Sequence, residues 1–121
     1  MERQNKNNFR KIIAWQKGKE LAIFVCQITK TFPIEERFAM VSQMRRAVYS
    51  FIANIAEGNT KKQTRDRCNF FNISQGSLNE LDCFGELTYE LKYIDKVKYE
   101  KLLELINKSG CLLSQFIKSQ K

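Results

Sequence analysis

The chain has 121 residues, 43% of them hydrophobic and 28% charged, with five glycines and one proline. That length suits one domain whose single core needs neither metal nor disulfide, and so little glycine and proline argues against a loop-rich or all-β fold. The formal net charge of +8 is uneven: residues 1–77 hold 14 Lys/Arg against 6 Asp/Glu, whereas residues 78–121 hold 7 against 7. A basic excess favours polyanionic partners, RNA or DNA ahead of an anionic membrane, with solubility alone as the plainer alternative.

Residues 1–10 are polar and lack helical period, so they read as a mobile basic arm, followed by a helical domain over 11–121. The first helix is expected to begin between Lys11 and Trp15. Leu21, Phe24, Val25, Ile28 and Phe32 mark its apolar face, and Pro33 ends it, having no N–H to continue the ladder. Glu35 and Glu36 suit the positive end of a second helix, which runs from about Glu35 to Glu57 and stops at Gly58. Asn59 to Gln63 form a short polar and basic loop.

A third helix begins near Thr64, with Thr64 or Thr60 as its cap, and ends between Leu91 and Tyr93. It carries two stripes, one of Phe70, Ser74, Ser77, Leu81, Phe84 and Leu91 and the other of Phe71, Leu78 and Gly85, so cover on two sides is expected. Asp95 is the candidate cap of a fourth helix, whose apolar face is Tyr99, Leu102, Leu103, Ile106, Leu113 and Ile117. Four amphipathic helices with short connections predict an all-α, up-down-up-down four-helix bundle.

The segment from Gln43 to Gly58 sets polar groups into an apolar helix. Val41, Met44, Val48, Phe51 and Ile55 make the core stripe, and Arg45, Arg46, Asn54 and Glu57 flank it. A charge beside a core needs a partner, so these four form a candidate polar network or oligomer interface, with direct nucleic-acid contact by the arginines as the second reading. Glu57 lies about three turns beyond Arg46 and can meet these arginines only across to another helix or subunit.

Two basic groups are candidate phosphate contacts. Lys61, Lys62, Arg65 and Arg67 cross the loop into the third helix, and Arg10, Lys11, Lys17 and Lys19, with Arg3 and Lys6 before them, form the other. Solvated lysines are the ordinary alternative for both. Trp15, Tyr49, Tyr89, Tyr93 and Tyr99 offer rings for base stacking, although aromatics at helical spacing more often anchor cores and interfaces.

Enzymatic readings are weak. The four cysteines, at 26, 68, 83 and 111, form no C-x-x-C pair, and there is no histidine, so neither a zinc site nor another cofactor is expected. Reduced, buried thiols in a cytoplasmic protein are expected instead. Ser50 and Asn54 lack a base or a nucleophile motif, and Glu80, Asp82, Glu86 and Glu90 lack the Glu-x-x-His spacing of metal-binding bundles. No signal peptide precedes the first helix, and no apolar run approaches a membrane span.

Trp15-Gln-Lys-Gly-Lys-Glu-Leu21, Phe32-Pro33, Glu36-Arg37-Phe38, Ser42-Gln-Met-Arg-Arg-Ala47, Ser50, Asn54-Ile-Ala-Glu-Gly58 and Gly76-Ser-Leu-Asn-Glu-Leu81 occur in the order seen in a known family. Over roughly residues 9–119 the chain resembles the bacterial 23S rRNA-intervening sequence proteins, which also include the accessory variability determinant of diversity-generating retroelements. The resemblance implies a four-helix bundle assembled as a homopentameric barrel, a basic character suited to nucleic acid, and no catalysis. It also implies two alternative partners, RNA or DNA itself or an enzyme such as a reverse transcriptase docked on the ring. The chain departs from the family pattern at Ile52, where proline is frequent, at Arg67, where an aromatic residue is usual, at Asn69, where a basic residue is common, and at Ala39, where glycine is usual.

Overall fold

The computed structural model describes residues 8–121, which form four helices and no strand: α1 (Ile13–Thr29), α2 (Met40–Asn59), α3 (Thr64–Glu90) and α4 (Lys96–Ser119). Most of the expected arm, with Arg3 and Lys6, lies outside the described residues. Its last residues belong to a short 3-10 turn, Phe9–Lys11, opened by Asn8, whose Oδ1 accepts from the Arg10 amide at 3.0 Å.

Each helix packs against its two neighbours around a ring. α1 touches α2 and α4, α3 touches α2 and α4, and the diagonal pairs make no close contact among the described residues. Paired contacts run in opposite directions along neighbouring helices: Ser74 and Ser77 reach Phe51 and Ser50, Gly58 faces Phe71, and Arg67 reaches Gln120. The result is an antiparallel four-helix bundle. Its core is lined by Leu21, Val25, Met44, Val48, Phe51, Ile55, Phe71, Leu81, Leu102 and Leu113, all fully buried.

The second helix begins later than expected. Glu35 and Glu36 belong to a separate 3-10 turn, Ile34–Glu36, and the chain bends at Ala39 (φ −119°, ψ −98°) before α2 starts at Met40. Glu36 is used elsewhere: its Oε2 accepts the Tyr93 hydroxyl proton at 2.7 Å and ties this connection to the end of α3. Gly58 does not stop α2, which runs to Asn59. A Cβ at Gly58 would lie 2.6 Å from Phe71 Cε1 and 3.0 Å from the Arg67 carbonyl oxygen, so glycine is there to admit α3.

Neither threonine caps α3. Gln63 holds that position without a side-chain bond, and the Thr60 hydroxyl turns back to donate to the Glu57 carbonyl at 2.7 Å. The helix presents one principal buried stripe, Phe71, Ser74, Leu78, Leu81, Gly85 and Thr88, that draws on both predicted ones, while Leu91 is 46% exposed. Ser74 is tolerated there because its hydroxyl donates to the Phe51 carbonyl at 2.8 Å.

α3 ends in a Schellman arrangement, in which the Tyr93 amide donates to the Thr88 carbonyl and the Lys92 amide to that of Tyr89. Lys92 takes the left-handed conformation (φ 64°) that glycine usually supplies. Asp95 does cap α4, accepting the Lys98 amide proton at 2.8 Å.

Candidate nucleic-acid interface

Antiparallel packing brings four chain positions to one end of the bundle: the start of α1, the end of α2, the start of α3 and the end of α4. Two ring contacts and a groove mark this end, with Phe71 and Phe116 at 5.2 Å, Phe9 and Trp15 at 4.8 Å, and Lys11 and Ile13 lining a groove with Leu112 and Phe116. The two basic groups, separate along the sequence, therefore meet. Arg10, Lys11, Lys62 and Arg65 are exposed there, Lys61 is half-buried, and Lys118 and Lys121 join them from the end of α4. The fold supplies those two lysines, which carried no signal of their own in a charge-balanced C-terminal third.

The acidic residues nearby, Glu57 and Asp66, offset only part of this charge. Glu57 lies 3.6 Å from Lys61. Two members of the predicted set stand further along α1. Lys17 bonds Glu20 at 2.8 Å, and Lys19 sits 5.8 Å from the centre of the Trp15 ring. Glu20 is held below its ordinary carboxyl value by that Lys17 bond first, opposed by burial and helped by the charges of Lys17, Lys101 and Lys108. α1 and α4 thus share a seam of mixed charge, in which Glu104 stands between Lys101 and Lys108 on the exposed face of α4.

Arg67 has a different role from the one predicted. Its guanidinium donates to the Asn59 carbonyl (3.0 Å), the Lys61 carbonyl (3.0 Å), Asn59 Oδ1 (3.2 Å) and twice to Gln120 Oε1 (3.0 and 2.7 Å). All five N–H donors of an arginine are then engaged. It satisfies carbonyls at the end of α2 that the helix itself cannot, and holds α4 against them. A phosphate would have to displace these bonds, so Arg67 shapes the basic end without being one of its open cations.

The four polar residues of α2 do not form one network. Arg45 Nε donates to Thr29 Oγ1 at 3.0 Å and Nη2 to the Cys26 carbonyl at 3.3 Å, which staples α2 to α1. Asn54 donates to the Ser50 carbonyl and hydroxyl, at 2.9 and 3.1 Å, and Ser77 donates to the same hydroxyl at 2.8 Å. Glu57 serves the Thr60–Lys61 turn. Arg46 is exposed beside a small polar hollow bordered by Ser50, Ser77 and Glu80. Successive residues of an α-helix are rotated by about 100°, so adjacent arginines meet different surroundings.

Four of the five predicted stacking rings pair with other rings of the chain, and Tyr49, 46% exposed, is tied only through its hydroxyl. Trp15 meets Phe9, Tyr89 stacks on Tyr99 at 4.4 Å, Tyr93 lies 5.3 Å from Phe32, and the Tyr49 hydroxyl is 3.2 Å from Cys26 Sγ. The cysteines are free, but none is buried as expected: Cys26 and Cys68 are half-buried, Cys83 and Cys111 exposed. The described residues contain no cluster of metal-ligating side chains and no helix long and apolar enough to cross a membrane.

Comparison with known proteins agrees with the fold. A crystal structure of a protein of unknown function from the S23 ribosomal protein family of Bacteroides thetaiotaomicron superposes with a TM-score of 0.79. That protein is 28% identical, over 87% of this chain and 98% of its own. No curated protein is significantly similar to the chain. The family model for the 23S rRNA-intervening sequence protein matches residues 10–115, and the chain belongs to that family.

Proposed function

We propose that this protein is a non-enzymatic, cytoplasmic nucleic-acid-binding protein that grips RNA electrostatically, with low sequence specificity, through the basic end of its bundle. The observation that supports this reading most is the convergence of Arg10, Lys11, Lys61, Lys62, Arg65 and Lys118 from four separate chain positions onto one end. Phosphates bound there release condensed counterions, which makes the affinity entropic in origin and steeply dependent on salt. The fold is repeated in a homopentamer, and five such ends on one particle convert weak contacts into avid binding.

The test is titration of a fluorescent RNA at rising salt, with light scattering on the same samples. Five 14.3 kDa copies give a particle of about 72 kDa. Raising salt from about 50 to 200 mM weakens binding about a thousandfold when about six phosphates are engaged. The pair Lys62→Glu and Arg65→Glu flattens that slope, whereas Lys30→Glu at the opposite end does not. Salt-independent affinity refutes the electrostatic mechanism.

A second reading, a scaffold that docks a partner enzyme such as a reverse transcriptase, draws on the other end of the bundle. Phe38, Ile34 and Val97, 89%, 73% and 75% exposed, belong to that end. Loss of partner capture in Phe38→Ser, with RNA binding retained, would support it.

A further inference from the structure

At the basic end, between the first turn of α1 and the last turns of α4, lies an open groove of about 390 Å³. Ile12, Ile13, Leu112 and Phe116 make its walls, and the exposed side chains of Lys11 and Gln115 border it. Ile13 is 61% exposed, an apolar side chain left facing solvent in the midst of cations. Lys118 stands three residues beyond Gln115 on the same side of α4, and Arg10 precedes Lys11. An apolar slot ringed by cations has the two halves of a nucleotide's chemistry, a flat apolar ring beside an anion. Ile12 is the extended residue that precedes α1, and Ile13 is its first helical residue.

We infer that this groove takes an unpaired base of a single-stranded nucleic acid, whose neighbouring phosphates lie on Lys11, Arg10 and Lys118. The inference rests on the nucleic-acid reading above and narrows it to a substrate class. In a duplex the bases are stacked away from such a slot, while a single strand can splay one out onto an apolar platform. Of the predicted aromatic platforms, Trp15, Tyr89, Tyr93 and Tyr99 pair with other rings and Tyr49 lies midway along α2, so this groove is a base-sized apolar surface at the basic end itself. Gln115 borders the slot, its amide nitrogen lying 3.6 Å from Cys111 Sγ on the previous turn of α4.

The experiment uses the full chain, a fluorescent thymidine oligomer of about 12 nucleotides and an abasic oligomer with the same phosphates, at low salt. The wild type should bind the thymidine oligomer about tenfold more tightly than the abasic one, as one well-stacked base allows. Ile13→Gln, at an exposed helical position, should erase that ratio while leaving the abasic affinity and the helical circular dichroism unchanged. Equal binding of the two oligomers, or a ratio that survives Ile13→Gln, overturns the groove while leaving the electrostatic reading standing. Binding of neither overturns both.

Discussion

Arg67 and Gln120 are fifty-three positions apart, yet two guanidinium N–H groups of the first converge on Oε1 of the second at 3.0 and 2.7 Å. The other three donors hold Asn59 and Lys61, so one side chain joins the end of α2, the following loop, the start of α3 and the end of α4. The basic end of the bundle is assembled around this clamp. Arg67→Ala should therefore destabilise the fold by about 2–3 kcal/mol, since several partly buried acceptors lose a charged donor together. Arg67→Lys should rescue little, because an ammonium cannot span acceptors arranged for a planar fork. Denaturant melts would show this. A loss of RNA affinity without loss of stability would return Arg67 to the open cations.

Two glycines of α2 and α3 should respond in opposite ways to the same change. Gly58→Ala forces a methyl against Phe71 and the Arg67 carbonyl, and should cost about 1–3 kcal/mol as overpacking. Gly76 has nothing within 4 Å of where its Cβ would stand, so Gly76→Ala should stabilise the helix by about 1 kcal/mol. Thermal melts compare the pair. A fall in stability or particle mass for Gly76→Ala would reveal that another copy approaches that face closely.

The adjacent arginines of α2 separate by geometry. Arg45→Ala removes the staple to Thr29 and the Cys26 carbonyl and should cost about 1–2 kcal/mol. Arg46→Ala, at an exposed position, should leave the protomer's stability within about 0.5 kcal/mol. Any change in particle mass or RNA affinity in the second variant would then report an intermolecular contact.

Tyr93 links stability to alkaline pH. Its hydroxyl donates to Glu36, and that bond, with burial and the charges of Glu36 and Glu35, raises the phenol above its ordinary 10.0. A raised folded value favours the protonated form, so this contribution is complete below pH 10 and is lost as pH rises through the folded value. Tyr49, raised by its bond with Cys26, and Tyr99, raised by burial and the nearby Glu86, Asp82 and Glu90, act in the same direction. Stability should therefore fall above pH 10, and Tyr93→Phe should make that fall shallower. An unchanged alkaline slope in Tyr93→Phe would show that the bond to Glu36 does not bias the phenol.

Helix number, the Asp95 cap and most of the core were legible in the sequence alone. These features depend on period and on a side chain meeting an amide three residues away, both of which are local. The end of α1 was not: it stops at Thr29, before Phe32 and Pro33. The start of α2 was not legible, because Glu36 is drawn to a tyrosine fifty-seven residues away rather than to a helix end. Nor was the role of Gly58, which depends on the approach of Phe71.

The basic residues divide on the same principle. Their excess in the first two thirds of the chain was plain from composition, since charge is counted without knowing where anything lies. Only the antiparallel tertiary structure brought the start of α1, the α2–α3 loop and the last turn of α4 to one end, placed an apolar groove among them, and engaged Arg67 in holding that end together. A hydrogen bond or a cluster between distant residues depends on how helices cross and end in space, and no local pattern encodes that distance.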